Sequence, residues 1–186
     1  LSLLEGTDGR TGVALPVSTT DRAVEIAKDA GFEVIPTEMS SSALMAAAAR
    51  PEVALAGDQE GSIIVPSFLP APDAAANLVH LLDLLTVRGA RLSQVVSGLP
   101  KVFMAHERVV TPWEQKGVVM RTLVEQTKNR DIHLVDGVKV RHGDGWVLAF
   151  PDPDEPVTHL WSEGSSAREA SDLVAEYVRR IRQLVR

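Results

Sequence analysis

The chain has 186 residues, 45% of them hydrophobic, enough for one large domain or two small ones with packed cores. A formal net charge of −6 excludes the basic footprint of a nucleic-acid or anionic-membrane binder, and the lack of cysteine excludes disulfides, a thiolate nucleophile and a Cys-ligated metal. No apolar run reaches the roughly 20 residues of a membrane-spanning helix. The N-terminal LSLLEGTDGR has no basic region ahead of an apolar one and does not read as a signal peptide. A cytoplasmic setting is expected, and the missing initiator Met suggests a segment of a longer or processed polypeptide.

In chain order, GVALPV at 12–17 is a short apolar strand. Ser18, Thr19 and Thr20 then offer N-caps to a helix whose apolar face is Ala23, Ile26, Ala27 and Ala30, closed by Gly31. FEVIP is a second strand, 40–50 an alanine-rich helix, EVALAG a third strand, and SIIVP a fourth after the turn at 58–61. A strong helix follows at 73–88 with Leu78, Leu81, Leu82 and Leu85 on one face. Alternating strands and helices predict an α/β layer with a mixed sheet.

The pattern changes near Pro100. FMAHERVV alternates as a strand, and Thr111-Pro112 opens a helix with Val119, Met120 and Leu123 inward. IHLVDGVKVRHGDGWVLAF reads as three short strands turning at Asp136-Gly137 and at 143–145, THLWS as another. The last helix starts at about Ser166 and turns Ala170, Leu173, Val174, Tyr177, Ile181 and Leu184 inward. The expectation is an α+β domain with an antiparallel sheet over 101–186, after an α/β domain over 1–100.

The stretches GVALPVSTTDRAVEIAKDAG, PTEMSSSAL, LAGDQEGSIIVP and PDAAANLVHLLDLLTVRGARLSQVVSGLP resemble the third domain of the α-D-phosphohexomutases, the phosphomannomutase/phosphoglucomutase family. VDGVKV, GWVLAFPDPDEP and the terminal helix resemble the fourth domain. The resemblance implies a four-domain parent with four loops meeting at one cleft. The first carries a phosphorylated serine, and the second an aspartate-rich magnesium loop. The third carries a Gly-Glu-x-Ser-Gly-His sugar loop, and the fourth an Arg-Pro-Ser-Gly-Thr-Glu-Pro phosphate loop. Nothing in this chain matches the first two, so no cofactor is expected within it and magnesium would belong to an absent upstream domain. The sugar loop corresponds to 57–62, with Asp58, Glu60 and Ser62 where the family has Glu, Ser and His. The phosphate loop corresponds to 150–156: Phe150 replaces Arg, Asp152 and Asp154 the two hydroxyl residues, and Pro153 the Gly, while Glu155 is kept. Glu38 stands where a basic residue is common.

Phosphate binding wants a bidentate Arg, hydroxyls and free amides. Pro153 has no amide to give. Each carboxylate at about 4 Å repels a phosphate by roughly 1–4 kcal/mol, so the exchanged loop should bind it on the order of a thousand-fold more weakly. The expected result is a rigid solvated turn. A calcium loop is disfavoured by the prolines and the absent central Gly. His80, His106, His133, His142 and His159 show no metal-binding spacing and read as surface residues, whereas Trp113, Trp146 and Trp161 read as core or boundary residues.

Three readings stay open. The chain is a catalytically degenerate, structural or regulatory part of a larger polypeptide, with a mannose-1-phosphate guanylyltransferase as the expected fusion. Or it is the substrate-binding half of an active mutase whose other domains lie upstream. Or it is an acidic binding module built on Glu38, Asp58, Glu60, Asp152 and Asp154. The partners expected are the upstream domains, a sugar phosphate and a second copy of the chain, with no nucleic acid and no membrane.

Overall fold

A computed structural model of the chain describes residues 9–185. Most of the N-terminal stretch read above for a signal peptide lies outside the described residues. The chain divides into two compact units, Leu1–Lys101 and Val102–Arg186.

The first unit runs β1 (Gly12–Pro16), α1 (Asp21–Asp29), β2 (Glu33–Thr37), α2 (Ser41–Ala48), β3 (Val53–Gly57), β4 (Ile63–Ile64), α3 (Ala74–Val87) and α4 (Leu92–Ser97). Its sheet has the order β2-β1-β3-β4, parallel except for antiparallel β4. The α/β layer with a mixed sheet is therefore present. Of the three hydroxyls before α1, Thr20 is the N-cap, accepting from the Arg22 amide at 3.2 Å, while Ser18 and Thr19 are buried. Ser40 caps α2 in the same way. Leu44, Ala47 and Ala48 of α2 pack on Ala14, Val53, Ala56 and Ile64. The alanines on both sides let helix and sheet approach closely, so little volume suffices to fill the layer.

Two features of this unit were not anticipated. The leucine face of α3 exists but is not core: no residue of α3 is buried, and Leu78 and Leu82 are 57% and 55% exposed. Helix α4 is also absent from the sequence reading; its six residues start where the Gln94 side-chain oxygen accepts from the Arg91 amide at 2.9 Å.

The second unit runs β5 (Phe103–Val110), α5 (Trp113–Thr127), β6 (Ile132–His133), β7 (Val138–His142), β8 (Gly145–Pro151), β9 (Val157–Gly164) and α6 (Ala167–Leu184). All its pairings are antiparallel, in the order β5-β9-β8-β7-β6. Val119 and Leu123 of α5 and Val174, Tyr177, Val178 and Ile181 of α6 form one core with Val138, Val140, Val147, Ala149 and Leu160 of the sheet. Gly137 turns β6 toward β7 with φ 87°, and a Cβ there would collide with the Ala149 carbonyl, so the turn requires glycine. Trp146 is buried and its indole N–H donates to a Glu163 carboxylate oxygen at 2.8 Å. Trp113 departs from expectation. It opens α5 and is 52% exposed, with the Lys116 ammonium over its ring, 3.6 Å from the ring centre.

Candidate functional site

The loop between β8 and β9 holds Asp152, Pro153, Asp154 and Glu155. A short acidic side chain at the start of such a loop can accept the amides two and three residues on. Asp152 does this: one carboxylate oxygen accepts from the Asp154 amide at 2.8 Å and the Glu155 amide at 2.7 Å. Its other oxygen accepts from His159 Nε2 at 2.9 Å. Amide donation from Asp154, then from Glu155 and the His159 ring, holds the Asp152 carboxyl below the usual carboxylate range. Pro153, Asp154, Glu155 and Pro156 are exposed, so the tip of the loop is solvated as expected.

The underside of the loop is more elaborate than a solvated turn. The nearly buried Lys116 of α5 donates from its ammonium to the Asp152 and Glu155 carbonyls. Arg108 of β5 pairs with the Glu155 carboxylate. Two cations thus lie beside the loop, and both are engaged by the loop itself.

The strand register builds a ring cluster next to it. Arg108 lies opposite His159, and His106 opposite Trp161. His106 Nε2 sits 2.9 Å from His159 Nδ1. Because a carboxylate only accepts, His159 carries its proton on Nε2. Its Nδ1 is then the acceptor and His106 Nε2 the donor. Both imidazoles stack on Trp161, at centroid distances of 4.6 Å and 5.1 Å, and Phe150 tilts against His159 and Trp161 at 6.3 Å and 6.2 Å. Shielding of the ring, followed by the Coulombic influence of neighbouring His159 and the Arg108 charge, depresses the His106 pKa below its ordinary value. His106, exposed on β5 as expected, and half-buried His159 are also partners in a hydrogen-bonded chain ending at Asp152.

His142 likewise has specific partners: its Nε2 lies 2.8 Å from the Tyr177 hydroxyl and its Nδ1 3.0 Å from an Arg130 guanidinium nitrogen. Burial, then the Arg130 charge, lowers its pKa.

In the first unit the other loop uses the same device. One Asp58 carboxylate oxygen accepts from the Glu60 amide at 2.9 Å and the Ser62 amide at 2.8 Å, while the Asp58 amide donates to the Ser62 carbonyl at 3.0 Å. Gly61 closes the turn with φ 97°. Glu60 is exposed; Ser62 is half-buried. Glu38 is exposed, with its carbonyl accepting from the Thr37 hydroxyl at 2.9 Å.

The sequence reading missed Lys116, Arg108, His106 and His159 as neighbours of the phosphate-loop segment. Asp152 followed by two free amides was a readable sign of the closed loop. The other four depend on helix placement and strand register. Among the described residues, no group of three or more His, Asp or Glu is placed to hold a metal ion, and no helix is long and apolar enough to cross a membrane.

Comparison with known proteins follows the same lines. The sequence profile of the phosphoglucomutase/phosphomannomutase alpha/beta/alpha domain III matches residues 2–103. A probable phosphoglucosamine mutase of Methanopyrus kandleri is 30% identical over 93% of this chain and 39% of its own length. A phosphoglucomutase/phosphomannomutase of Thermococcus kodakarensis is 24% identical over 84% of this chain and 34% of its own. Among solved structures, a phosphoglucomutase/phosphomannomutase family protein of Burkholderia thailandensis superposes with a TM-score of 0.81 at 20% identity. It covers 96% of this chain and 38% of its own. An Aspergillus fumigatus N-acetylphosphoglucosamine mutase, solved with GlcNAc-6P and magnesium, gives 0.73 at 13% identity, covering 100% of this chain and 42% of its own. The chain thus spans about two fifths of the length of these relatives, and the structural likeness supports the fold of both units.

Proposed function

The chain belongs to the phosphoglucomutase/phosphomannomutase family. On that premise we propose that it is the third- and fourth-domain portion of a larger sugar-phosphate protein, with a structural or regulatory role after its ligand loops closed on themselves. The observation that carries this reading is the Asp152 carboxylate on the Asp154 and Glu155 amides. A phosphate would have to displace a tethered anion from the donors it needs. It would also face Asp154, which opposes it by roughly 1–4 kcal/mol at about 4 Å. The nearby cations do not offset this: Lys116 is held by two carbonyls and Arg108 by Glu155. Phe150 supplies a ring where the family has a guanidinium. Asp58 closes the sugar-loop segment in the same manner.

In this reading the phosphoserine and magnesium belong to upstream domains. Those domains are the chain's main partners, and the setting is cytoplasmic. The expected parent makes nucleotide sugars, as a mannose-1-phosphate guanylyltransferase fusion would. The second reading is an active mutase to which this chain contributes domains three and four. The 30% identity to a probable phosphoglucosamine mutase over most of the chain favours it.

Assaying the longer natural polypeptide that contains this segment, with glucose 1-phosphate, mannose 1-phosphate and glucosamine 1-phosphate as substrates, decides between them. The proposal expects no interconversion to the 6-phosphates above the uncatalysed background. Turnover that falls when the loop at 150–156 is altered would establish the second reading instead.

A further inference from the structure

Helix α3 is built from AAANLVHLLDLLTV, and none of its 14 residues is buried. Its inner side rests on β4 through Asn77, whose side-chain amide donates to the Ile63 carbonyl at 2.8 Å. Its outer side carries exposed Ala75, Leu78 and Leu82, with half-buried Leu85 at its edge. These are spaced three, four and three residues apart, the rhythm of a seam that meets another helix. Val79 is 64% exposed beside that seam, and α4 has Leu92, Val95 and Val96 exposed.

We infer that this face is an interface with a second copy of the chain, α3 packing antiparallel on its counterpart about a two-fold axis near Leu82. Two observations favour this occupant. First, the seam is self-complementary: an antiparallel copy centred at Leu82 sets Leu78 near Leu85 of the other helix, as an isologous contact requires. Second, the charges are arranged end to end. Asp73 stands at the N-terminus of α3, and Arg88 and Arg91 stand beyond its C-terminus. Antiparallel pairing brings each acid against the other copy's arginines and opposes the two helix dipoles.

The test is sedimentation equilibrium of the full 186-residue chain from about 1 to 100 μM. A reversible species of twice the 20.1 kDa chain mass is expected, weakening as salt rises. Leu82→Glu should raise its dissociation constant at least tenfold. Because the chain has no cysteine, Leu82→Cys introduces a single thiol; mild oxidation should cross-link it to a covalent dimer, whereas Asp83→Cys, about a quarter-turn away, should not cross-link. The cross-link carries the test if Leu82→Glu does not fold. A monomer throughout the concentration range, or a dimer indifferent to both Leu82 variants, would overturn the inference; the first result would leave the face to another domain or protein.

Discussion

Lys116→Met is the most informative single change in the second unit. It keeps the apolar stem of the side chain and removes only the ammonium. That ammonium donates to the Asp152 and Glu155 carbonyls and lies over the Trp113 ring. A hydrogen bond involving a charged group contributes about 1.5–3 kcal/mol net, and a partly exposed cation–π contact about 0.5–1 kcal/mol. The carbonyls sit in a loop with an exposed tip, so water replaces part of what is lost. The expected cost is about 2–3 kcal/mol. For a unit of this size each kcal/mol moves the melting point by about 4–8 °C, so the midpoint should fall by roughly 10–20 °C. All three tryptophans lie in the second unit, so their fluorescence during urea unfolding reports on that unit. A loss of less than about 0.5 kcal/mol, with the m-value unchanged, would show that the two carbonyls do not depend on Lys116 and that the loop is not held from beneath.

Two further changes probe other contacts. Gly137→Ala should destabilise the second unit by more than about 2 kcal/mol in the same urea assay, since it combines a left-handed backbone angle with a collision against the Ala149 carbonyl. The acid profile of the second unit draws on depressed pKa values at His106, His142 and Asp152. His106 protonates more readily in the unfolded chain, so its contribution is complete above about pH 6.5 and declines as pH falls below that value. Asp152 contributes above its ordinary value of 3.8, and that contribution is lost as pH falls through its lowered folded value. Unfolding midpoints from pH 8 to 2 should thus decline in two steps; His106→Gln should shrink the first, leaving the share of His142, while the second stays.

The parts of this fold legible in the sequence were those set by local periodicity. Helix α6 announced its inner face through Ala170, Val174, Tyr177 and Ile181, all of which are buried. The three strands β6, β7 and β8 followed from glycine turns between apolar runs, and β8 is buried along Gly145–Ala149. Periodicity also found the leucine face of α3, but a pattern says that a face is apolar and not what covers it. Trp113 misled because a large ring usually packs, and here it packs under an ammonium at a helix start. The ring cluster was hidden for a different reason. His106 and His159 are 53 residues apart and meet only because β5 pairs with β9 in one register. A shift of one residue would send each to the other face. Lys116 reaches Asp152 across 36 residues through the placement of α5, which no local pattern specifies.

The most direct test of the central claim is an NMR titration of the chain with mannose 1-phosphate and glucose 6-phosphate, following the amides of residues 58–62 and of Asp152, Asp154 and Glu155. If the Asp58 and Asp152 carboxylates hold those donors, the resonances stay in place to tens of millimolar ligand. Concerted shifts of both segments that saturate in the millimolar range or below would mean that a sugar phosphate displaces the two aspartates, and the self-closed loops would not account for what this chain does.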